Sequence, residues 1–291
     1  MTEHETIENN YMKLIAEDCE VFTDEVLDYP PVAISLGEKT IMTRAGQIKV
    51  PIPIGTYGNF SFVQAGSKVG KSFFMSLLAG VYLSGQNIYG GNLKGHREGR
   101  CLIHFDTEMG LWHAQKVFQR VEDMAGDIDL GCYKKYALRQ LGYRDMLKFI
   151  EYILEENDPN NGLVVIDGIA DLVREVNDIQ DGNECVRKIM QLSAKYNCHI
   201  VTVIHSNYGG NKATGHLGST LYKKCETAIC LEKSTTHKER VDVSCKLSRG
   251  YSFDTFSFER NQYGLPYVVG ELYDPLKDFV FKQPKNKQIP F

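Results

Sequence analysis

FSFVQAGSKVGKSFFMSLLAG, residues 60–80, sets an apolar, β-rich run ahead of a turn containing two glycines, a lysine and a serine, and follows it with an apolar run of helical length. Where a strand hands over to a helix, the first backbone N–H groups of the helix have no intrahelical acceptor and concentrate positive potential. Gly70, Lys71 and Ser72 occupy the last three places of the phosphate-loop pattern. In that pattern loop amides cradle phosphate oxygens, the lysine reaches the β/γ-phosphates and the hydroxyl goes to Mg²⁺. The binding segment is therefore expected over Ala65, Gly66, Ser67, Lys68, Val69, Gly70, Lys71 and Ser72, with ATP and Mg²⁺ as cofactors. The pattern normally opens with glycine where this chain has Ala65, and Gly66 relieves backbone crowding one place later. Without its flanks the same turn is a plain Gly-rich connection carrying an exposed lysine. The strand before it and the helix after it are what argue for phosphate.

Outward from this turn the pattern repeats. Short β-rich runs at 59–65, 101–106, 162–168 and 199–205 have the unbroken apolar character of strands buried on both faces. Helix-length stretches at 72–84, 111–125, 144–156 and 183–196 place apolar residues three or four apart. Strand alternating with helix at this spacing predicts an α/β fold with a mainly parallel sheet covered by helices in three layers. After residue 221 the texture changes to TAICLEK, RVDVSCKL and FDTFSFERN, an expected antiparallel extension of the same sheet. The organisation expected is a leader over 1–57, helical within 11–27 and extended around its prolines, then a core over 58–262 and a lysine-containing tail over 263–291.

Composition narrows the class. A net charge of -4 argues against a globally basic nucleic-acid binder, though not against a local positive stripe. No run approaches eighteen apolar residues, so no membrane partner is expected. The eight cysteines are scattered without a CxxC pair or a secretory leader, which favours reduced thiols and a cytoplasmic setting. No HExxH or tight His/Cys grouping suggests structural zinc.

A magnesium nucleotide needs carboxylates near its metal and its attacking water. In GLVVIDG (162–168), Asp167 closes an apolar run, the place of an aspartate that holds Mg²⁺ through a water. In CLIHFDTEMG (101–110), Asp106 closes the strand and Glu108 lies just beyond it, over the crevice where open α/β sheets bind ligands. Glu108 is the favoured water-activating base; Asp106 is its rival, because one register step exchanges their positions. Thr107 reads as a backbone cap. His205, closing VTVIH, is placed to hydrogen-bond a γ-phosphate or its water. Trp112 is expected to pack, and Arg120 either approaches the nucleotide or is solvated.

Together the segments FVQAGSKVGKSFF, IHFDTEMG, LVVIDGIADL, TVIHSNYGG and TGHLGSTLYKKCETAICLEK, in this order over about residues 58–260, resemble the RecA-like P-loop ATPases. Within them the chain is similar to the hexameric replicative helicases of the plasmid RepA and DnaB-like group. The resemblance implies Lys71 and Ser72 on the phosphates and Mg²⁺, Glu108 activating water, Asp167 on the metal, and His205 sensing the γ-phosphate. It also implies that 209–220, with Lys212, belongs to a channel loop and a Gly/Ser motif that meet single-stranded DNA; a plain surface loop is the alternative. CKLSRGYSF loosely resembles the paired basic residues that enter a neighbour's site, which makes Lys246 and Arg249 finger candidates in trans; their spacing is three where the helicases usually have two. The partners implied are single-stranded DNA and further copies of the chain in a hexamer. The opening residues do not resemble the helicase N-terminal domain, so the expected setting is a motor, loader or accessory ATPase of a plasmid, phage or mobile element. A nucleotide-gated DNA-binding or assembly protein without turnover is the alternative; a small-molecule kinase is disfavoured because no Arg-rich lid is evident.

Overall fold

The computed structural model describes residues 11–17, 19–24, 29–44, 46–206 and 213–270. The chain divides into two compact units, 1–30 and 31–291. In the first, residues 11–17 form a helix, α1, whose Tyr11, Met12 and Leu14 side chains are exposed. The basic tail beyond 270 lies outside the described residues.

The second unit is built on a nine-stranded sheet. Its six parallel strands are β3 (Phe60–Ala65), β5 (Cys101–Asp106), β6 (Tyr133–Ala137), β7 (Asn161–Asp167), β8 (His199–His205) and β9 (Thr227–Lys233). The antiparallel strands β10 (Val241–Ser248), β11 (Phe256–Arg260) and β12 (Pro266–Val268) extend one edge, giving the order β12-β11-β10-β9-β3-β8-β7-β5-β6. Every residue of β3 and of β7 is buried, as strands covered on both faces require.

Alternation along the strands feeds two cores. Val63 and Ala65 of β3 join the apolar cluster under α2 (Lys71–Ser84) and α3 (Leu111–Ala125). Phe60 and Phe62 of the same strand point to the cluster under α4 (Tyr143–Glu156), α5 (Ile179–Lys195) and α6 (Gly215–Lys224). The three-layer α/β architecture is the expected one. Helix α2 is apolar on all sides because it is enclosed, with Phe74 through Leu83 buried. Gly80 permits its close approach to α3: a Cβ there would stand 2.8 Å from Met124 Cβ.

Two departures concern the ends. The stretch expected as an extended leader segment carries β1 (Val32–Thr43) and β2 (Gly46–Thr56), an antiparallel hairpin joined by β4 (Leu93–Gly95) in a second sheet ordered β2-β1-β4. Three register shifts between Val32 and Glu38 break the period of two, so the strand pattern is not visible locally. Only the hairpin base, including Ala33, Ile34 and Ile54, is buried. At the other end, β12 carries the antiparallel extension past the expected core boundary, and its Val268 N–H donates to the Tyr89 carbonyl at 2.7 Å. Helix α5 starts at Ile179 rather than at 183 because the Asp178 side chain caps it, accepting from the Asp181 N–H at 2.8 Å.

Candidate active site

The carboxyl ends of β3, β5, β7 and β8 converge on one rim. Ala65 and His205 are register partners at the ends of β3 and β8, and Asp106 and Asp167 are partners at the ends of β5 and β7. The turn after Ala65 needs left-handed backbone twice, at Lys68 with φ 60° and at Gly70 with φ 116°. At Gly70, which caps α2 without a side-chain hydrogen bond, any side chain would be strained whatever space is available.

Lys71 opens α2. Its Nζ reaches back to the Gly66 carbonyl at 3.3 Å and to His205 Nδ1 at 3.0 Å. Because an ammonium only donates, Nδ1 accepts and the ring hydrogen sits on Nε2. That Nε2 lies 3.8 Å from Glu108 Oε2. Lys71, His205 and Glu108 therefore form a line from the phosphate loop to the open side of the rim. Partial burial lowers the Lys71 pKa, and the carboxylates of Glu108 and Asp167 oppose that shift.

The three acidic side chains differ in environment. Glu108 is exposed, as a residue beyond the strand end should be. Asp106 is fully buried, and its Oδ1 accepts from the N–H groups of Met109 at 2.7 Å and Glu108 at 3.2 Å. It is held in its own turn, away from the open side. Asp167 is also buried; burial first, then the neighbouring Asp106 charge, pushes its pKa up to about 7, while a hydrogen bond from Ser72 works the other way. Burial likewise raises Asp106. Thr107 holds the next strand, its Oγ1 lying 3.0 Å from the Asp167 carbonyl and 2.7 Å from Asp171 Oδ2.

Among the described residues no cluster of three or more His, Cys, Asp or Glu could cage a metal. The site instead suits a cation that takes most of its ligands from phosphate and water. Ser72 stands on Asp167, and the Oδ2 atoms of Asp106 and Asp167 are buried without a hydrogen-bond partner. Such orphaned acceptors fit a hydrated divalent cation.

The structure thus brings Lys71, Ser72, Glu108, Asp167 and His205 to one rim. It does not bring Lys246 or Arg249 there. Ser248 pairs with Thr227 at the amino end of β9, so both basic residues lie toward the opposite rim. Lys246 Nζ stands 3.8 Å from Glu232, and the exposed Arg249 donates to the Lys224 carbonyl at 2.7 Å. Lys212 lies outside the described residues, and the expected loop is already helix α6 from Gly215 onward.

Trp112, expected to pack, is 63% exposed at the start of α3. Phe73 and Arg260 carry no motif signal. The Arg120 guanidinium lies 4.0 Å and that of Arg260 5.0 Å from the centre of the Phe73 ring, beside the first turn of α2. Burial, followed by repulsion from Arg260, brings the Arg120 pKa down to about 10. Arg260 arrives on β11, and only its pairing in the antiparallel extension delivers it.

The model of the family described as AAA domain matches residues 54–211. Searched against curated proteins, the chain has no match. Matching solved structures number 639 chains, so the architecture is widespread. Among them the ATPase domain of a DnaB-like replicative helicase has a TM-score of 0.53 at 13% identity, covering 74% of this chain and 87% of that one. At that identity the likeness concerns fold, and the fold is that of the RecA-like ATPase domains.

Proposed function

We propose, from the premise that this chain belongs to the AAA domain family, that it binds ATP with Mg²⁺ at the carboxyl rim and hydrolyses it in a ring of identical subunits that engages single-stranded DNA. The alignment of Lys71, His205 and Glu108 at successive distances of 3.0 and 3.8 Å is the observation that carries this reading. Lys71 exchanges its His205 and Gly66 contacts for β- and γ-phosphate oxygens. Ser72 and Asp167 hold the cation, which supplies charge neutralisation to the phosphates. Glu108, the one exposed carboxylate of the three, orients water and accepts its proton. His205, released from Lys71, takes up the γ-phosphate or the water.

A route from hydrolysis to DNA starts at His205. Its carbonyl accepts from both Thr214 N at 3.0 Å and Thr214 Oγ1 at 2.7 Å, and Ser206 bridges Ala213. The segment between those residues is therefore anchored at both feet beside the His205 strand end, so movement of His205 is transmitted to it. In this reading Lys212 contacts DNA phosphate. Lys246 and Arg249, remote from their own Lys71, complete a neighbour's site. The Phe73 ring with its two guanidiniums offers a flat cationic surface for the nucleoside.

Steady-state ATP turnover measured with and without single-stranded DNA, while molecular mass is recorded, tests the proposal. Turnover stimulated by DNA in an oligomer is expected. DNA-insensitive turnover at low salt across assembling concentrations overturns the motor and leaves a regulatory ATPase. Nucleotide-dependent DNA affinity without turnover favours a gated binding protein.

A further inference from the structure

We infer that Asp106 is a second carboxylate for the divalent cation, acting beside Asp167 rather than as a water-activating base. The inference rests on the nucleotide reading of the rim. Asp106 and Asp167 are register partners on adjacent parallel strands, so their side chains leave the same face of the sheet about 5 Å apart. Asp106 is 0% and Asp167 5% exposed, and the Oδ2 atom of each lacks a hydrogen-bond partner. Two buried carboxylates at this separation repel unless a cation lies between or in front of them. Lys71 does not supply that charge, since its ammonium is directed to Gly66 and His205.

The other oxygen of Asp106 shows why it is not the base. Oδ1 accepts from the N–H groups of Glu108 and Met109, which fixes the carboxylate inward and leaves Glu108 pointing outward. One oxygen of Asp106 thus positions Glu108, while the other faces the cation side. Mg²⁺ is commonly held by one or two carboxylates with phosphate and water completing the shell, and Asp106 with Asp167 and Ser72 supplies that set.

Mn²⁺ serves as the probe, with free Mn²⁺ followed by electron paramagnetic resonance in the presence of a non-hydrolysable ATP analogue. The substitution Asp106→Asn keeps an oxygen acceptor for the turn and removes only the charge. It is expected to weaken Mn²⁺ binding about ten-fold or more, while Glu108→Gln leaves it unchanged. Metal-free Asp106→Asn is expected to unfold at the wild-type temperature or above, because a repulsive charge is gone. Wild-type Mn²⁺ affinity in Asp106→Asn, or a lowered unfolding temperature in that variant, overturns the inference alone and leaves the nucleotide reading standing. A wild-type protein that takes up neither the analogue nor Mn²⁺ overturns both.

Discussion

The two rims of the parallel sheet treat buried polar groups in opposite ways. At the amino rim they close on one another. Glu226 accepts from Thr56 N at 2.8 Å and Thr56 Oγ1 at 2.7 Å, and His199 Nδ1 lies 2.9 Å from the Thr56 carbonyl. Asn161 donates to the Leu154 carbonyl at 2.7 Å and accepts from Asn157 at 3.1 Å. At the carboxyl rim Asp106 and Asp167 each keep an unpartnered buried oxygen, and Glu108 stands in the open. An unpaired buried acceptor costs about 1–3 kcal/mol, so the carboxyl rim is destabilised relative to its counterpart. The same sheet geometry serves the fold at one end and leaves charge for a ligand at the other.

The sharpest test of this contrast is Glu108→Gln. Loss of an activating carboxylate should lower ATP turnover about 10²–10⁴-fold in a steady-state assay while ATP affinity by equilibrium titration is retained. Turnover within a few-fold of wild type would move the base elsewhere. Next in size is Glu226→Ala at the amino rim, which strands the Thr56 N–H and hydroxyl. A stability loss of about 2–4 kcal/mol in urea unfolding is expected, with nucleotide affinity unchanged in the folded protein. A variant that lost nucleotide binding but kept its stability would reverse the roles of the two rims.

The smallest effect is the one with a pH signature. A carboxyl whose pKa is raised in the fold is favoured there in its protonated form. The contribution of Asp167 is fully present below the unfolded value of 3.8 and is lost as the pH rises through its folded value of about 7. Asp167→Asn removes the charged state. Without nucleotide or metal, thermal unfolding should find this variant more stable than wild type by on the order of 2 kcal/mol at pH 8, with the gap closing by pH 4. A gap independent of pH would mean that Asp167 is not charged and strained in the resting protein.

The signals legible in the chain were the local ones. The strand, turn and helix around Gly70 to Ser72, the unbroken apolar runs of β3, β5, β7 and β8, and the polar residues closing them all lie within a few residues of one another. In such windows, backbone conformation and burial depend on immediate composition, so the α/β layering and the rim positions of Lys71, Ser72, Glu108, Asp167 and His205 followed directly. The exposure of Trp112 and the hairpin over 31–56 did not. A helix start has no local mark that says which face meets the core, and register shifts in β1 erase the alternation that would reveal a strand.

What the amino-acid sequence alone determined was the order of the elements and the chemistry at their ends. Only the tertiary structure decided that Asp106 stands in register with Asp167, that Lys71 rests on His205, and that Arg260 comes from β11 to the Phe73 ring beside Arg120. Register and strand order are chosen by competition among long-range pairings for the same buried faces, and no single segment carries the outcome of that competition.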